Sequence, residues 1–353
     1  MKYKVSFPHF GNYYIPFEHI ITHGMEMDYI VPPPMTKKTL EIGSKYSPDT
    51  VCAPFKYTLG SMIEALECGA NMLIEAGGEC RLGYYGEIQE QILRDLGYEF
   101  EFVNLYRVNY GKPLTFLPEF KKINPHFSLK KAAKAGLAAF QMTQCLDKVD
   151  DFVRKNIGFE RQEGALEGIY RTFLQQLRQA KSARDVTSCY RKCMAQMEEV
   201  PLNKPTNPLR IGVIGEYYTI MDPFSNHQIE RQLAKMGMSV ERWMNLSGNL
   251  LSGPPKKVRR NIQSYAKYNM GTTSLSTIDC ALTCAKEGFD GIIHVKSFGC
   301  TPEIDAMPVL QNISRDYKIP ILYFSFDSQT GEEGIGTRLE AFYDMIVMRR
   351  EKR

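Results

Sequence analysis

The chain has 353 residues, 43% of them hydrophobic, enough to bury a large core and to divide into more than one domain. Its 44 basic residues are nearly balanced by 40 acids, for a net charge of +4, and the basic runs are short, so no nucleic-acid partner is expected. No stretch reaches the ~18–20 apolar residues that span a bilayer, and the opening MKYKVSFPHF lacks the apolar core of a signal peptide; a soluble, cytoplasmic protein without membrane contact is expected.

In chain order, KYKVSFP reads as a strand leading to the helix NYYIPFEHIITHGM, and MDYIVPPP leads to TKKTLEIGSKY. The helix FKYTLGSMIEALECG precedes the strand ANMLIEAGG, and YGEIQEQILRDLGY precedes EFEFVNLYR. Such alternation predicts an open parallel sheet with helices on its faces. Residues 128–200 are rich in Ala, Gln, Leu, Lys and Arg and read as helical, and PLNKPTNP (201–208) reads as a linker. Alternation then resumes: strand LRIGVIGE, helix HQIERQLAKMG, strand MSVERWM, a helix near 272–287, strand GIIHVKSFGC, strand IPILYFSFD and a last helix over 337–348. The expected class is α/β, with two flavodoxin- or Rossmann-like parallel-sheet domains (1–127 and 205–353) and an additional helical segment with linker (128–204).

The nine cysteines sort by context. Cys68 falls in a predicted helix and Cys145 in the helical middle. Cys189/Cys193 and Cys280/Cys284 are spaced one helical turn apart, which suits small buried apolar residues better than structural zinc with its four ligands. Cys52, Cys80 and Cys300 each precede a predicted helix, where backbone N–H groups and the helix dipole favour thiolate. For Cys80 and Cys300 the upstream element is a strand, and such corners line the ligand crevice of an open α/β sheet; for Cys52 the upstream strand is weak. Two corners fall in the first half and one in the second, so a shared site would lie between the domains. Three thiolates without a nearby histidine suit an iron–sulfur cluster with one open iron better than zinc. A single nucleophilic cysteine stays open as an alternative, although it leaves two corner cysteines unexplained.

Other signals are smaller. Gly212 and Gly215 in IGVIGE are too few for a dinucleotide fingerprint, and the chain has no Walker A sequence. DSQTGEEGIGTRLEAF is a Gly-rich loop before a helix, with Thr337 as a cap, readable as a phosphate-holding terminus or a plain turn. GPPKKVRRN reads as a solvated basic loop or an acidic partner's contact. His9 and Glu216 lie just past the first strand of each half, either as proton-moving groups or as hydrogen-bonded structural residues.

Four segments carry a resemblance: VCAPFKYTLGSMIEALE, GGECRLGYYGEIQEQILRDLGY, GEYYTIMDPFSNHQIERQLAKMG and FGCTPEIDAMPVL…YFSFDSQTGEEGIGTRLEAF. Together, over nearly the whole chain, they resemble the 2-hydroxyacyl-CoA dehydratase subunit superfamily, in particular its activase-associated and double-cubane-cluster branch. The resemblance implies two α/β domains with a cluster held by Cys52, Cys80 and Cys300, and Arg81, Ser297 and Gly299 beside it. It also implies a partner, a dimeric ATP-dependent activase with its own 4Fe-4S cluster, which agrees with the missing P-loop. In true dehydratases the delivered electron reduces a CoA-thioester carbonyl to a ketyl, which expels the 2-hydroxyl. Many relatives read Gly-Gly followed by two cysteines where this chain has Glu79-Cys80, so both a 4Fe-4S cubane and a double-cubane 8Fe-9S cluster shared across a homodimer fit. Dehydratases pair related subunits, and an oxygen-free setting goes with a solvent-reachable cluster. The rival readings are a non-enzymatic electron relay or cluster scaffold, and a plain CoA- or nucleotide-binding α/β protein with buried cysteines.

Overall fold

The computed structural model describes residues 3–75, 80, 82–105, 124, 127–250, 256–268, 270–328, 330–331 and 333–352. The chain divides into two compact units, residues 1–143 with 177–186, and residues 144–176 with 187–353. The helical stretch 128–204 is therefore shared between the units. Each unit carries a four-stranded, all-parallel sheet flanked by helices.

In the first unit the strands are β1 (Lys4–Ser6), β2 (Asp28–Tyr29), β3 (Met72–Glu75) and β4 (Glu101–Asn104), in the order β2-β1-β3-β4. The helices are α1 (Tyr14–His19), α2 (Lys37–Tyr46), α3 (Ala53–Glu67) and α4 (Leu82–Asp95). Every residue of α3 except Lys56 and Glu67 is buried, as expected of a helix apolar nearly all round. Gly43 and Gly60 explain how α2 reaches it. A Cβ on Gly43 would lie 1.7 Å from the Lys56 carbonyl oxygen, and one on Gly60 2.0 Å from that of Thr39, so the two backbones touch. The Thr39 hydroxyl donates to Glu64 across the same contact at 2.7 Å, and Thr36 caps α2 through a reciprocal bond with Thr39.

Three long helices follow, α5 (Leu129–Asn156), α6 (Ala165–Gln179) and α7 (Ala183–Glu198). The stretch expected as a linker is pinned rather than loose. Asn203 N–H donates to the Phe159 carbonyl at 2.7 Å and Lys204 Nζ to that of Lys155 at 2.7 Å.

The second unit holds β5 (Leu209–Gly215), β6 (Met238–Glu241), β7 (Gly291–Ser297) and β8 (Ile321–Phe326), in the order β6-β5-β7-β8. Its helices are α8 (Tyr217–Met221), α9 (Ile229–Lys235), α10 (Lys256–Ile262), α11 (Thr272–Lys286), α12 (Thr301–Tyr317) and α13 (Glu333–Glu351). All seven residues of β7 are buried, the state of a central parallel strand covered on both faces. Ile292, Ile293 and Val295 are fully enclosed, each worth about 1.5–3 kcal/mol relative to exposure. Both glycines of IGVIGE serve packing: a Cβ on Gly212 would meet Cys284 Sγ of α11 at 2.3 Å, and Gly215 (φ +147°) would meet the Val295 carbonyl at 1.7 Å. Both strand orders follow the flavodoxin-like 2-1-3-4 sequence, in which ligands gather at the carboxyl ends of the strands. Among the described residues no helix is long and apolar enough to cross a membrane.

Candidate functional site

In the first unit Cys52 is the N-cap of α3, with extended backbone (φ −70°, ψ 159°) and Pro54 inside the first turn. Proline suits that turn because its missing N–H would have no helical partner there. The element upstream of Cys52 is α2 rather than a strand, so this corner joins two helices. Cys80 opens α4, its carbonyl accepting from Gly83 N–H at 3.0 Å; residues 76–79 and Arg81 lie outside the described residues. Both thiols are half-buried.

The two helices are cross-tied by Gln89 of α4, which is fully buried. Its Nε2 donates to the Phe55 carbonyl at 3.2 Å and the Thr58 hydroxyl at 2.7 Å, and Tyr85 packs edge-on against Phe55 at 4.9 Å. These contacts fix the first turn of α3, whose Phe55 N–H closes on the Cys52 carbonyl at 3.1 Å.

Two further titratable groups stand at or just past the carboxyl ends of the two inner strands, β1 and β3. The His9 backbone N–H donates to Ser61 Oγ of α3 at 2.8 Å. Burial pushes its imidazole below the usual histidine range, against a hydrogen bond to the Pro32 backbone. Glu75, at the end of β3 and in register with Asn104 of β4, is driven to about 8, first by burial and then by Glu87. Its carboxyl fills a notch left by Gly86 of α4, where a Cβ would lie 1.9 Å from Oε2.

In the second unit β7 ends in a tight turn. Phe298 N–H continues the ladder to the Phe326 carbonyl at 2.7 Å, and Cys300 N–H returns to the Ser297 carbonyl at 3.1 Å. Gly299 takes φ +78°, with nothing among the described residues within 4 Å of a would-be Cβ, so its glycine character serves the turn. Ser297 Oγ donates to the Phe298 carbonyl at 3.1 Å. Cys300 is the N-cap of α12, again half-buried, again with extended backbone and a proline, Pro302, in the first turn. Cys52-Ala53-Pro54 and Cys300-Thr301-Pro302 are thus the same local structure built twice, each thiol at the positive end of a helix of 15 or 17 residues.

Beneath Cys300 lies a buried polar network. Glu303 Oε2 meets His294 Nε2 of β7 at 2.8 Å, and its Oε1 accepts from the Thr277 hydroxyl of α11 at 3.1 Å. Thr277 also reaches the Gly215 carbonyl at 3.3 Å. His294 and Lys296 share one face of β7, since His294 packs edge-on against Tyr323 of β8 and Lys296 Nζ donates to Ser325 at 3.1 Å. Burial lowers the Lys296 ammonium, and Cys300, Glu303 and Glu216 oppose that. Glu216 is a cap: Oε2 accepts from Tyr218 N–H and Oε1 from Thr219 N–H, both at 2.9 Å, with the Thr219 hydroxyl donating too. Burial raises its carboxyl above the ordinary range against those bonds, with Glu303 adding to the rise.

Four of the other six cysteines are buried, unlike the three corners. Burial pushes Cys193 and Cys280 to about 12, Cys284 well above the thiol range, and Cys145 upward. Cys189 is half-buried on α7, and Cys68 is exposed at the C-cap of α3 rather than inside the helix. Among the described residues no three His, Cys, Asp or Glu side chains form a group fit to hold a metal ion. Thr337 lies inside α13, which starts at Glu333, so it is not the N-cap of that helix; the loop before it turns through Asp327 N–H to Thr330 Oγ1 at 2.9 Å. Lys256 to Arg260 of the basic run form α10 rather than a loop.

Gln89, Glu75, His294, Lys296, Thr277 and Glu303 were missed by sequence reasoning. For His294 and Lys296 a signal existed: two polar residues two apart in an otherwise apolar strand must share a face and find partners there. No family model matches the chain, and no curated protein matches its sequence.

Proposed function

We propose that the chain is an iron–sulfur reductase or dehydratase-type component of the 2-hydroxyacyl-CoA dehydratase superfamily, fed low-potential electrons by an ATP-dependent activase. Its substrate would be a CoA thioester, with 2-hydroxyacyl-CoA dehydration as the leading case, or another small molecule. The observation that carries this reading is the repeated corner: Cys52 and Cys300 as half-buried N-caps ahead of a proline, with Cys80 heading α4. The donor chemistry suits a cluster, because these three thiols sit where helix dipoles favour the anionic ligand, whereas Cys145, Cys193, Cys280 and Cys284 are held as neutral thiols by burial. In this reading Cys52, Cys80 and Cys300 hold a 4Fe-4S or double-cubane 8Fe-9S cluster, with Arg81, Ser297 and Gly299 around it. The bound cluster would supply one-electron chemistry at low potential and an open iron for an oxygen ligand.

The chain's own residues would supply position and charge. Lys296 offsets the negative charge gathered by Cys300, Glu303 and Glu216. His9 suits proton transfer better than Glu216 does, because burial favours its neutral imidazole and Nδ1 has no hydrogen-bond partner among the described residues, whereas both Glu216 oxygens are engaged in capping. A cytoplasmic, oxygen-poor setting and pairing with a second copy or a related subunit belong to the same proposal.

The test is anaerobic purification with iron and acid-labile sulfide counted per chain, repeated on the triple variant Cys52→Ala, Cys80→Ala, Cys300→Ala. About four irons or more per chain in the wild type, lost in the variant, is the expected result. A wild type that stays iron-free after anaerobic reconstitution sinks the reading. Iron retention without activase-dependent turnover of any CoA thioester would leave an electron relay instead.

A further inference from the structure

Glu303 is fully buried in the first turn of α12, three residues beyond Cys300. Its two oxygens engage two different elements, Thr277 of α11 and His294 of β7, at 3.1 and 2.8 Å. Through Thr277 the tie extends to the carbonyl that ends β5. Ile292, Ile278, Ala281, Ala306 and Leu310 of the same elements belong to one packed apolar cluster, while Glu216, Lys296 and Cys280 lie within electrostatic reach of the carboxyl. In such a place an apolar residue of similar volume is commonly as stable as a buried carboxyl–imidazole pair, so stability alone is a poor reason to keep one. A hydrogen-bonded tie fixes direction, which apolar packing does not. His294 Nδ1 has no hydrogen-bond partner among the described residues, which leaves Glu303 as the ring's polar contact.

We propose that Glu303 is a positioning residue for Cys300. With His294 and Thr277 it clamps the first turn of α12 to the middle of β7 and, through α11, to the end of β5, so that the Cys300 thiol is held in one direction. This deepens, and rests on, the iron–sulfur reading above. The residue acts through the helix head: Ile304 N–H closes on the Cys300 carbonyl at 3.0 Å, so any loosening of the Glu303 turn is transmitted to the cap.

The experiment uses Glu303→Leu, Glu303→Gln and Thr277→Val in the full chain. A matched control, Glu64→Leu, removes a buried, hydrogen-bonded carboxyl near the far end of α3. The first readout is amide hydrogen exchange over residues 301–306 in iron-free protein. Glu303→Leu should speed exchange there at least ~10-fold while α3 stays as in the wild type. The second readout is the electron paramagnetic resonance spectrum of the reduced, reconstituted protein. Glu303→Leu should shift or broaden it, Glu303→Gln should restore it, and Glu64→Leu should lower the melting temperature with the spectrum unchanged. Wild-type exchange over 301–306 in Glu303→Leu, or a wild-type spectrum, overturns the proposal. If Glu303→Leu does not fold, Thr277→Val decides by the same criteria, since it removes one of the two bonds and keeps the shape. An iron-free wild type would remove the cluster reading alone, and the exchange result would still decide the clamp.

Discussion

In the first unit the strands are two to four residues long, and the helices that carry Cys52 and Cys80 are steadied mainly by other helices: α2 by backbone contact, α4 through Gln89. In the second unit the two central strands run seven residues each, and the helix that carries Cys300 is steadied from those strands, by His294 midway along β7 and by Thr277 on the Gly215 carbonyl that ends β5. The same strand order and the same Cys-x-Pro corner are thus anchored in two ways. A short sheet offers too few buried strand positions to host a polar network, so the anchoring moves to helix–helix contacts.

The largest expected effect tests the backbone contact. Gly43→Ala drives a Cβ into the Lys56 carbonyl, which cannot move aside, and should cost about 4 kcal/mol or more, or abolish folding, in urea titrations. The counterpart in the second unit, Gly212→Ala, meets a side-chain sulfur and should cost only about 1–3 kcal/mol. Adding Cys284→Ala should return part of that loss, and a double-mutant cycle showing no coupling would break the comparison.

Glu75 gives the first unit a pH dependence of its own. Its carboxyl keeps a proton in the folded state up to about 8, whereas the unfolded chain releases it near the ordinary carboxylate value of 4.5. The folded state therefore binds more protons across that window, and stability falls as pH rises from about 4.5 to about 8, by on the order of 4 kcal/mol. Glu75→Gln should reduce this slope, leaving the smaller part due to Glu216 and Asp222, and an unchanged slope in denaturation series across the window would contradict the assignment.

Gln89→Leu should cost about 1–3 kcal/mol, because the Phe55 carbonyl and the Thr58 hydroxyl lose a buried donor. The smallest effect is expected at the Arg178–Glu18 pair, at 2.7 Å but partly exposed, where Arg178→Ala should change stability by less than about 1 kcal/mol.

The α/β class, the two parallel sheets and most helix positions were legible in the sequence because apolar strand runs and amphipathic helices have distinct periods. The corner placement of Cys52 and Cys300 was legible too, since an N-cap followed by proline is a local signal. What was not legible depends on residues distant in sequence meeting. Gln89 is 34 positions from Phe55, and Thr277 is 26 from Glu303, separations at which no pattern links the partners. The glycines of IGVIGE were read against a phosphate loop, and their actual reason, the close approach of α11 and β7, is a tertiary fact. The helical start of the basic run at Lys256 shows the same limit at an element boundary.

The contact between Gly43 and Gly60 also governs how this unit tolerates changes in length. Each added residue turns the following part of a helix by about 100° and advances it by about 1.5 Å, so one insertion inside α2 or α3 would replace a glycine at the crossing with a side chain. Length variation and engineered tags should therefore be accepted in the exposed residues 48–50 between the two helices and rejected within them. An insertion scan across residues 31–67, scored by soluble yield, would draw that boundary residue by residue.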